Sequence, residues 1–331
     1  RLVILTMMYK GGLSCFIATG DVKKYLATEI SFSRPTVLIT VPRVLTLFHQ
    51  VITGEFAKLT GCKKTMVDRA MKAKTANYLE SGQLTHSLYD SLVFSKIRNK
   101  FGGRVRCFIT GSAPLPGDVA RDMKIFFSCP ILEGYGMTET CGASTVSHML
   151  DPFNLGHGVI RNCEIKLADR LEMKYHSKTE LDGELSPTGE ICVRGLTITK
   201  GYFLEKEKTV ELFDEDGWLK TGDVGRILPG NKALKIIDRV KEIFKLSQGE
   251  YIAPSKLESV YVKNNLTLQL CIYGDSFKSS LICIICPNKV TVAKFLIEKD
   301  VVLDLNNESI ISTVVNLSKT KKIEENFKII Y

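Results

Sequence analysis

Residues 104–140, "RVRCFITGSAPLPGDVARDMKIFFSCPILEGYGMTET", carry the reading on which the fold turns. "RVRCFIT" (104–110) has the apolar, β-branched texture of a strand, and "GSAPLPGD" after it is a glycine–proline turn that opens a helix over about Gly117–Phe127. "PILE" (130–133) predicts a second short strand that feeds "EGYGMTETCG" (133–142). That last stretch is too broken by glycine for a helix start and too polar for a core strand, so it is expected to be a loop. Two strands with glycine-bearing exits close together predict a crevice at the carboxyl ends of parallel strands, where open α/β sheets bind ligands.

Upstream, "RPTVLITVP" (34–42) is an apolar run bounded by prolines and predicts a buried strand. Helical spacing with many Lys and Arg then runs from about Arg43 to Asn99. Downstream the texture changes. "GEICVRG" (189–195), "GWLKTGD" (217–223) and "KIIDRVKEIFKL" (235–246) predict short strands with Gly and Asp turns, as in a small β-rich subdomain. Residues 242–331 have a pattern of their own: a helix at about Pro254–Val262, strands "LQLCIYG" and "SLICIICP", and a helix at about Val290–Lys299. A domain boundary is therefore expected near Lys241, with α/β organisation before it.

Composition narrows the function classes. A chain of 331 residues has room for two domains, and 44% hydrophobic with 24% charged residues is the composition of a folded globular protein and not of a disordered one. Ten cysteines lie scattered, mostly in apolar stretches, which suits small buried side chains in a reducing compartment. Cys283 and Cys286 form the one tight pair, but odd spacing along a strand sends their thiols to opposite faces, and no second Cys/His pair follows at ligand spacing. The net charge of +9 is spread along the chain without the basic stripe and interleaved aromatics of a nucleic-acid binder, so no nucleic-acid partner is expected. A solvated basic surface with some attraction for phosphorylated ligands or an anionic membrane is the expectation instead. No apolar run approaches the ~18 residues of a membrane span, and the start at Arg1 lacks the form of a signal peptide. The chain reads as an excerpt of something longer.

The candidate site follows from side-chain chemistry. Gly134 and Gly136 allow a ligand to approach the backbone, and Tyr135 between them offers a flat face to a purine. The Thr138 hydroxyl suits a phosphate, the Glu139 carboxylate is a hard oxygen ligand for Mg²⁺, and Asp223 in "TGD" can accept hydrogen bonds from ribose hydroxyls. Each is also compatible with an ordinary turn.

Taken in order, "ITGSAPLP", "EGYGMTE", "GEICVRG", "GWLKTGD" and "IIDRVKEIFKLSQGEYIAPSKLE" resemble the adenylate-forming superfamily of acyl-CoA synthetases and luciferases. Within it they resemble the long-chain fatty acyl-CoA synthetases, whose extended signature is similar to the stretch from Asp216 to Glu258. The resemblance implies an adenylate-forming α/β fold. Residues 1–238 would be the C-terminal part of the large AMP-binding domain, 239–241 the hinge, and 242–331 an incomplete small, mobile α+β domain. It implies ATP-dependent ligation of a long-chain fatty acid to CoA through an acyl-adenylate, with ATP, Mg²⁺ and CoA required. It also implies roles: Gly111, Ser112 and Ala113 line the adenine site with Gly134 and Gly136, and Tyr135 stacks on the base. Thr138 contacts the α-phosphate, Glu139 holds Mg²⁺, and Asp223 binds the ribose with help from Arg239. Lys241 is the hinge, and Gly249 lines the passage for the pantetheine arm of CoA. An intracellular protein is implied, cytoplasmic or on the cytoplasmic face of an internal membrane, with peripheral membrane association compatible with the substrate.

Three features depart from the family. Its Gly- and Ser/Thr-rich phosphate loop is expected before Arg1, and its C-terminal catalytic lysine beyond Tyr331. "GHGVIRNCEIKL" (156–167) also lacks the Gly-x-Pro-x-Pro pattern of that position. Two alternatives stay open: a non-catalytic fragment that binds nucleotide or a partner, and a ligase for another carboxylic acid.

Overall fold

The computed structural model describes residues 12, 22–173, 175–240, 243–247, 251–262, 264, 266–274, 280–288 and 291–292. The chain divides into two units, Arg1–Ile237 and Asp238–Tyr331.

The first unit opens with α1 (Val22–Ser33), β1 (Val37–Ile39), α2 (Pro42–Ala57) and α3 (Gly61–Ser81). Pro42 starts α2 at a position where a missing N–H costs nothing, and Leu45, Phe48 and Ile52 recur at helical spacing on its buried face. A short α turn (Ser87–Tyr89), a π-helical turn (Asp90–Phe94) and α4 (Ser95–Lys100) lead into β2 (Cys107–Gly111). Next comes α5 (Gly117–Phe127), which starts behind Pro116 and ends where Ser128 turns left-handed at φ 53°. Phe126 on α5 is fully buried and meets Phe56 edge-on at 5.7 Å, while Phe127 meets Phe101 and Phe108 in the same way at 4.9 Å. This aromatic core fixes α5 under the sheet, and truncating such a phenylalanine to alanine costs about 3–5 kcal/mol.

Six further strands follow in the first unit's sequence: β3 (Ile131–Met137), β4 (Gly142–Ser147), β5 (His157–Val159), β6 (Cys163–Ala168), β7 (Glu180–Leu181) and β8 (Glu184–Leu185). They are succeeded by β9 (Thr188–Gly195), α6 (Lys206–Leu212), β10 (Leu219–Ile227) and β11 (Leu234–Arg239). The main sheet has nine strands in the order β1-β2-β3-β4-β5-β11-β10-β9-β6, and β7 and β8 form a separate hairpin. β1, β2 and β3 run parallel, whereas β3/β4, β4/β5, β5/β11, β9/β10 and β6/β9 are antiparallel.

Four expectations are corrected. The strand in "RPTVLITVP" is not buried: β1 stands at the sheet edge with β2 as its neighbour, and Ile39 is 49% exposed. "EGYGMTE" is not a loop, because β3 continues through Gly134, Tyr135 and Gly136 to Met137 and pairs with β4 across a bulge. The glycines serve close packing there: a Cβ on Gly136 would lie 1.9 Å from the Gly142 carbonyl oxygen, and one on Gly111 2.6 Å from that of Gly134. The strands from 189 to 239 are not a separate β-rich subdomain, since they join the parallel strands in one sheet through the pairing of Leu234 with His157. Of the described cysteines, Cys129, Cys163 and Cys192 are buried as expected, but Cys62, Cys141, Cys271, Cys283 and Cys286 are exposed.

In the second unit, β12 (Phe244–Lys245) pairs with β13 (Tyr251–Ile252), and α7 (Pro254–Tyr261) precedes the antiparallel pair β14 (Thr267–Gly274) and β15 (Leu281–Pro287). The Glu258 carboxylate accepts the Ile272 N–H at 2.8 Å and ties α7 to β14. Most of the helix expected at Val290–Lys299 lies outside the described residues.

Candidate active site

β2 ends at Gly111, opposite Gly134, and β3 runs three residues further to Met137. Ser112, exposed and at φ 72°, turns the chain out of the sheet, and Ala113 is exposed after it. Small residues on the way out of β2 leave the backbone edge open to a ligand.

On β3, the Tyr135 hydroxyl donates to Asp223 Oδ2 at 2.8 Å. The two residues come from strands 88 positions apart in sequence. The Tyr135 ring packs against the buried cluster of Cys163, Ile191, Val193 and Leu234, which fixes its plane. Asp223 sits where the β9/β10 register shifts, between Lys220 and Val224. Its turn is braced three ways: Thr221 Oγ1 donates to the Ile191 carbonyl at 2.7 Å and accepts the Asp223 N–H at 3.1 Å, and Gly222 N–H donates to Glu190 Oε1 at 3.0 Å. Glu190 is almost fully buried and is paired by Arg170.

Beyond Met137 the chain makes a 3₁₀ turn, Thr138–Thr140. Thr140 Oγ1 accepts the Met137 N–H at 3.0 Å and donates to the Gly142 carbonyl at 2.6 Å, locking the turn and leaving Thr138 exposed. Glu139 is half-buried; its carbonyl accepts the Thr199 N–H at 2.8 Å and its Oε1 accepts the Tyr202 hydroxyl at 2.6 Å. That hydrogen bond to a carboxylate pushes the Tyr202 phenol above its ordinary value. Mg²⁺ keeps several waters and takes one or two protein carboxylates beside substrate phosphates, so a single aimed carboxylate such as Glu139 fits it. No cluster of three or more His, Cys, Asp or Glu at metal-binding spacing occurs among the described residues.

Behind this surface lies a buried polar layer. Glu133 Oε1 accepts the Leu115 N–H at 3.0 Å, and its other oxygen accepts from Asn154 Nδ2 at 3.4 Å. Lys124, fully buried, donates to Asn154 Oδ1 at 2.6 Å and to the Asp151 carbonyl. Burial raises Glu133 to about 7 and lowers Lys124 to about 8. Glu133 thus ties the loop after Ala113 to the strand that carries Tyr135.

The structure places Gly111, Ser112 and Ala113 at the end of β2, Gly134, Tyr135 and Gly136 in the last half of the neighbouring β3, Thr138 and Glu139 in the turn after it, and Asp223 in contact with Tyr135. Arg239 ends β11 and belongs to the second unit, and Lys241 and Gly249 lie outside the described residues. Sequence reading missed Tyr202, Glu133 and Glu190. A lone acid closing an apolar run, as in "PILE", is the one local sign that marks Glu133, and nothing local marks the other two.

Parallel β1–β3 continued by antiparallel strands, with glycine-rich exits, is the fold of the adenylate-forming enzymes. The family model for AMP-binding enzymes matches residues 1–203, and the chain belongs to that family. It is 45% identical over 278 residues to "Long chain acyl-CoA synthetase 7, peroxisomal" of Arabidopsis thaliana, covering 83% of this chain and 38% of that one. It is 38% identical over 325 residues to "Fatty acyl-CoA synthetase A" of Dictyostelium discoideum, covering 98% and 46%. A solved adenylation domain of the carboxylic acid reductase from Segniliparus rugosus, in complex with AMP and a co-purified carboxylic acid, aligns with TM-score 0.66 at 28% identity, over 88% of this chain and 41% of that one. The chain spans less than half the length of these relatives. No described helix is long and apolar enough to cross a membrane.

Proposed function

We propose that the intact protein is a long-chain fatty acid–CoA ligase and that this chain supplies its adenine and ribose site. The observation that carries the reading is the 2.8 Å contact between the Tyr135 hydroxyl on β3 and the Asp223 carboxylate on β10, an aromatic ring and a carboxylate held together in one sheet. Relatives named as acyl-CoA synthetases, at 38–45% identity, support the substrate class.

In the first half-reaction a fatty carboxylate oxygen attacks the α-phosphorus of ATP and pyrophosphate leaves. In the second, the CoA sulfur attacks the acyl carbon and AMP leaves. Tyr135 stacks on adenine against Gly111, Ser112 and Ala113, Asp223 accepts from the ribose hydroxyls with Arg239 assisting, and Thr138 donates to the α-phosphate. Glu139 would hold Mg²⁺, whose positive charge would offset that of the phosphate oxygens, and the Tyr202 hydroxyl, which donates to Glu139 Oε1, would keep that carboxylate aimed. Residues 1–238 belong to the large domain and 242–331 to the small one. Rotation about 239–241, centred on Lys241, exchanges the two half-reactions and brings Gly249 to the pantetheine passage. The setting proposed for the intact protein is intracellular, cytoplasmic or at a cytoplasmic membrane face.

The test is pyrophosphate release by the intact protein. Release should require ATP, Mg²⁺ and a fatty acid together, and Glu139→Gln should shift the Mg²⁺ titration to higher concentration and slow the reaction. An unchanged rate and titration in the variant would remove Glu139 from the metal site.

A further inference from the structure

The amino-terminal ends of β1 and β2, opposite the nucleotide crevice, border a second recess of about 530 Å³. Thr36 enters it from the start of β1, Arg104 and Arg106 from the start of β2, Arg98 from α4, Ser128 from the end of α5, and Thr85 from the turn after α3. β2 itself, at 3.3 Å per residue, separates this recess from Gly111 by roughly 16 Å.

Its floor is a fixed polar network. Lys74, buried in α3, donates to Asp90 Oδ1 at 2.6 Å, to the Ile125 carbonyl at 2.7 Å and to Ser128 Oγ at 2.8 Å. Arg98 donates to Ser128 Oγ at 2.9 Å, to Asp90 Oδ1 at 3.3 Å and to the Asp90 carbonyl at 3.1 Å. One carboxylate therefore faces two cations. The backbone departs from regular geometry at both acceptors: Asp90 begins the π-helical turn, and Ser128 is left-handed at φ 53°. Such turns gather at functional sites.

The network accounts for Lys74, Asp90 and Arg98, but not for Arg104 and Arg106. Both are exposed at the rim, and neither guanidinium forms a hydrogen bond or ion pair with a described residue. Among the described residues Asp90 is the single acidic one of the lining, against Arg98, Arg104 and Arg106, so their charge there is positive. Forked guanidinium donors match the oxygens of a phosphoryl group, and Thr36 and Thr85 are polar residues of the same lining. We propose that this recess is an anion site, separate from the proposed nucleotide site, that takes a terminal phosphomonoester carried on a soluble compound or on a lipid headgroup.

The experiment compares the intact protein with an Arg104→Ala/Arg106→Ala double variant. Both residues are exposed, and equal thermal midpoints in phosphate-free buffer confirm that the variant folds. Inorganic phosphate is titrated by calorimetry at constant ionic strength, with chloride as the control. In parallel, co-sedimentation is measured with phosphatidylcholine vesicles doped with phosphatidic acid or, at matched charge, with phosphatidylserine. A soluble source predicts phosphate binding that is at least about tenfold weaker in the variant, in line with the loss of a charge-assisted contact. A lipid source predicts preference for phosphatidic acid over phosphatidylserine, lost in the variant. Asp223→Ala should leave either response intact, which separates this site from the nucleotide reading. The proposal is overturned if neither arm responds: phosphate binding that is absent, equal in parent and variant, or reproduced by chloride, together with vesicle binding that is absent, equal for the two charged lipids, or unchanged in the variant.

Discussion

Gly136→Ala places a methyl group where β3 and β4 come closest. The added Cβ would lie 1.9 Å from the Gly142 carbonyl oxygen, 2.8 Å from its carbon and 2.9 Å from Ala143 Cα. All three are backbone atoms, so no side chain can swing away. Ordinary contact begins near 3.4 Å, and the strands must part by roughly 1.5 Å or the register must slip. Overpacking of this kind costs about 1–3 kcal/mol of stability. The functional cost is larger, because Tyr135 and Glu139 flank the site of displacement and a shift of about 1 Å in a reacting constellation costs on the order of a hundredfold in rate. Gly54→Ala is the matched control: it is exposed in α2 with nothing within 4 Å of the new Cβ, and it should stabilise the protein by up to about 1 kcal/mol. Thermal melts and pyrophosphate release by the intact protein read the two effects. A release rate within twofold of the parent in Gly136→Ala would refute the close-approach argument.

Further outcomes follow from the buried layer and the domain linker. Glu133 titrates near 7 in the fold against 4.5 when free, so its stabilising contribution is full below about pH 4.5 and is lost as the pH rises through 7. Glu133→Gln should therefore gain stability relative to the parent between about pH 5 and pH 8, by at most about 3 kcal/mol, as read by urea midpoints. Lys124 and Asp151 face the same carboxylate, and His157, lowered to about 4 by burial, loses stability as the pH falls from 6.5; Asp151 and His157 persist in the variant, whereas Lys124 loses the Glu133 charge that raises it, so the difference reads Glu133 together with its coupling to Lys124. A pH-independent difference would place the carboxyl in an ordinary environment. Lys241→Pro should restrict the proposed hinge and harm thioester formation from supplied acyl-adenylate more than pyrophosphate release. Equal retention of both half-reactions would show that no hinge lies at Lys241.

The helix over Gly117–Phe127 was legible because its limits are written locally, in Pro116 before it and a serine turn after it. The neighbouring strands β2 and β3 were legible in the same way, and they run parallel as expected. β3 beyond Glu133 was not, since glycine-rich "GYGM" has the texture of a loop, and only contact with Gly142 and Ala143 makes those glycines strand residues. Nor was the continuity of the sheet, which depends on Leu234 finding His157. Tyr202 reaches Glu139 across 63 residues, and Glu133 reaches the Leu115 N–H across 18, so neither partner is visible in a window of sequence. What sequence reveals of this site is the side chains offered to a ligand, and what it hides is the set of residues that hold them in place.

The central claim is that Tyr135 and Asp223 together hold an adenosine whose phosphate carries a fatty acyl group. Calorimetric titration of the intact protein with a long-chain acyl sulfamate of adenosine, a stable mimic of the acyl-adenylate, addresses it directly. The account predicts that the mimic binds at least a hundredfold more tightly than AMP, as intermediate analogues do, and that Asp223→Ala weakens it tenfold to a hundredfold, the equivalent of about 1–3 kcal/mol. Binding no tighter than AMP, or equal affinity in the Asp223→Ala variant, would contradict it.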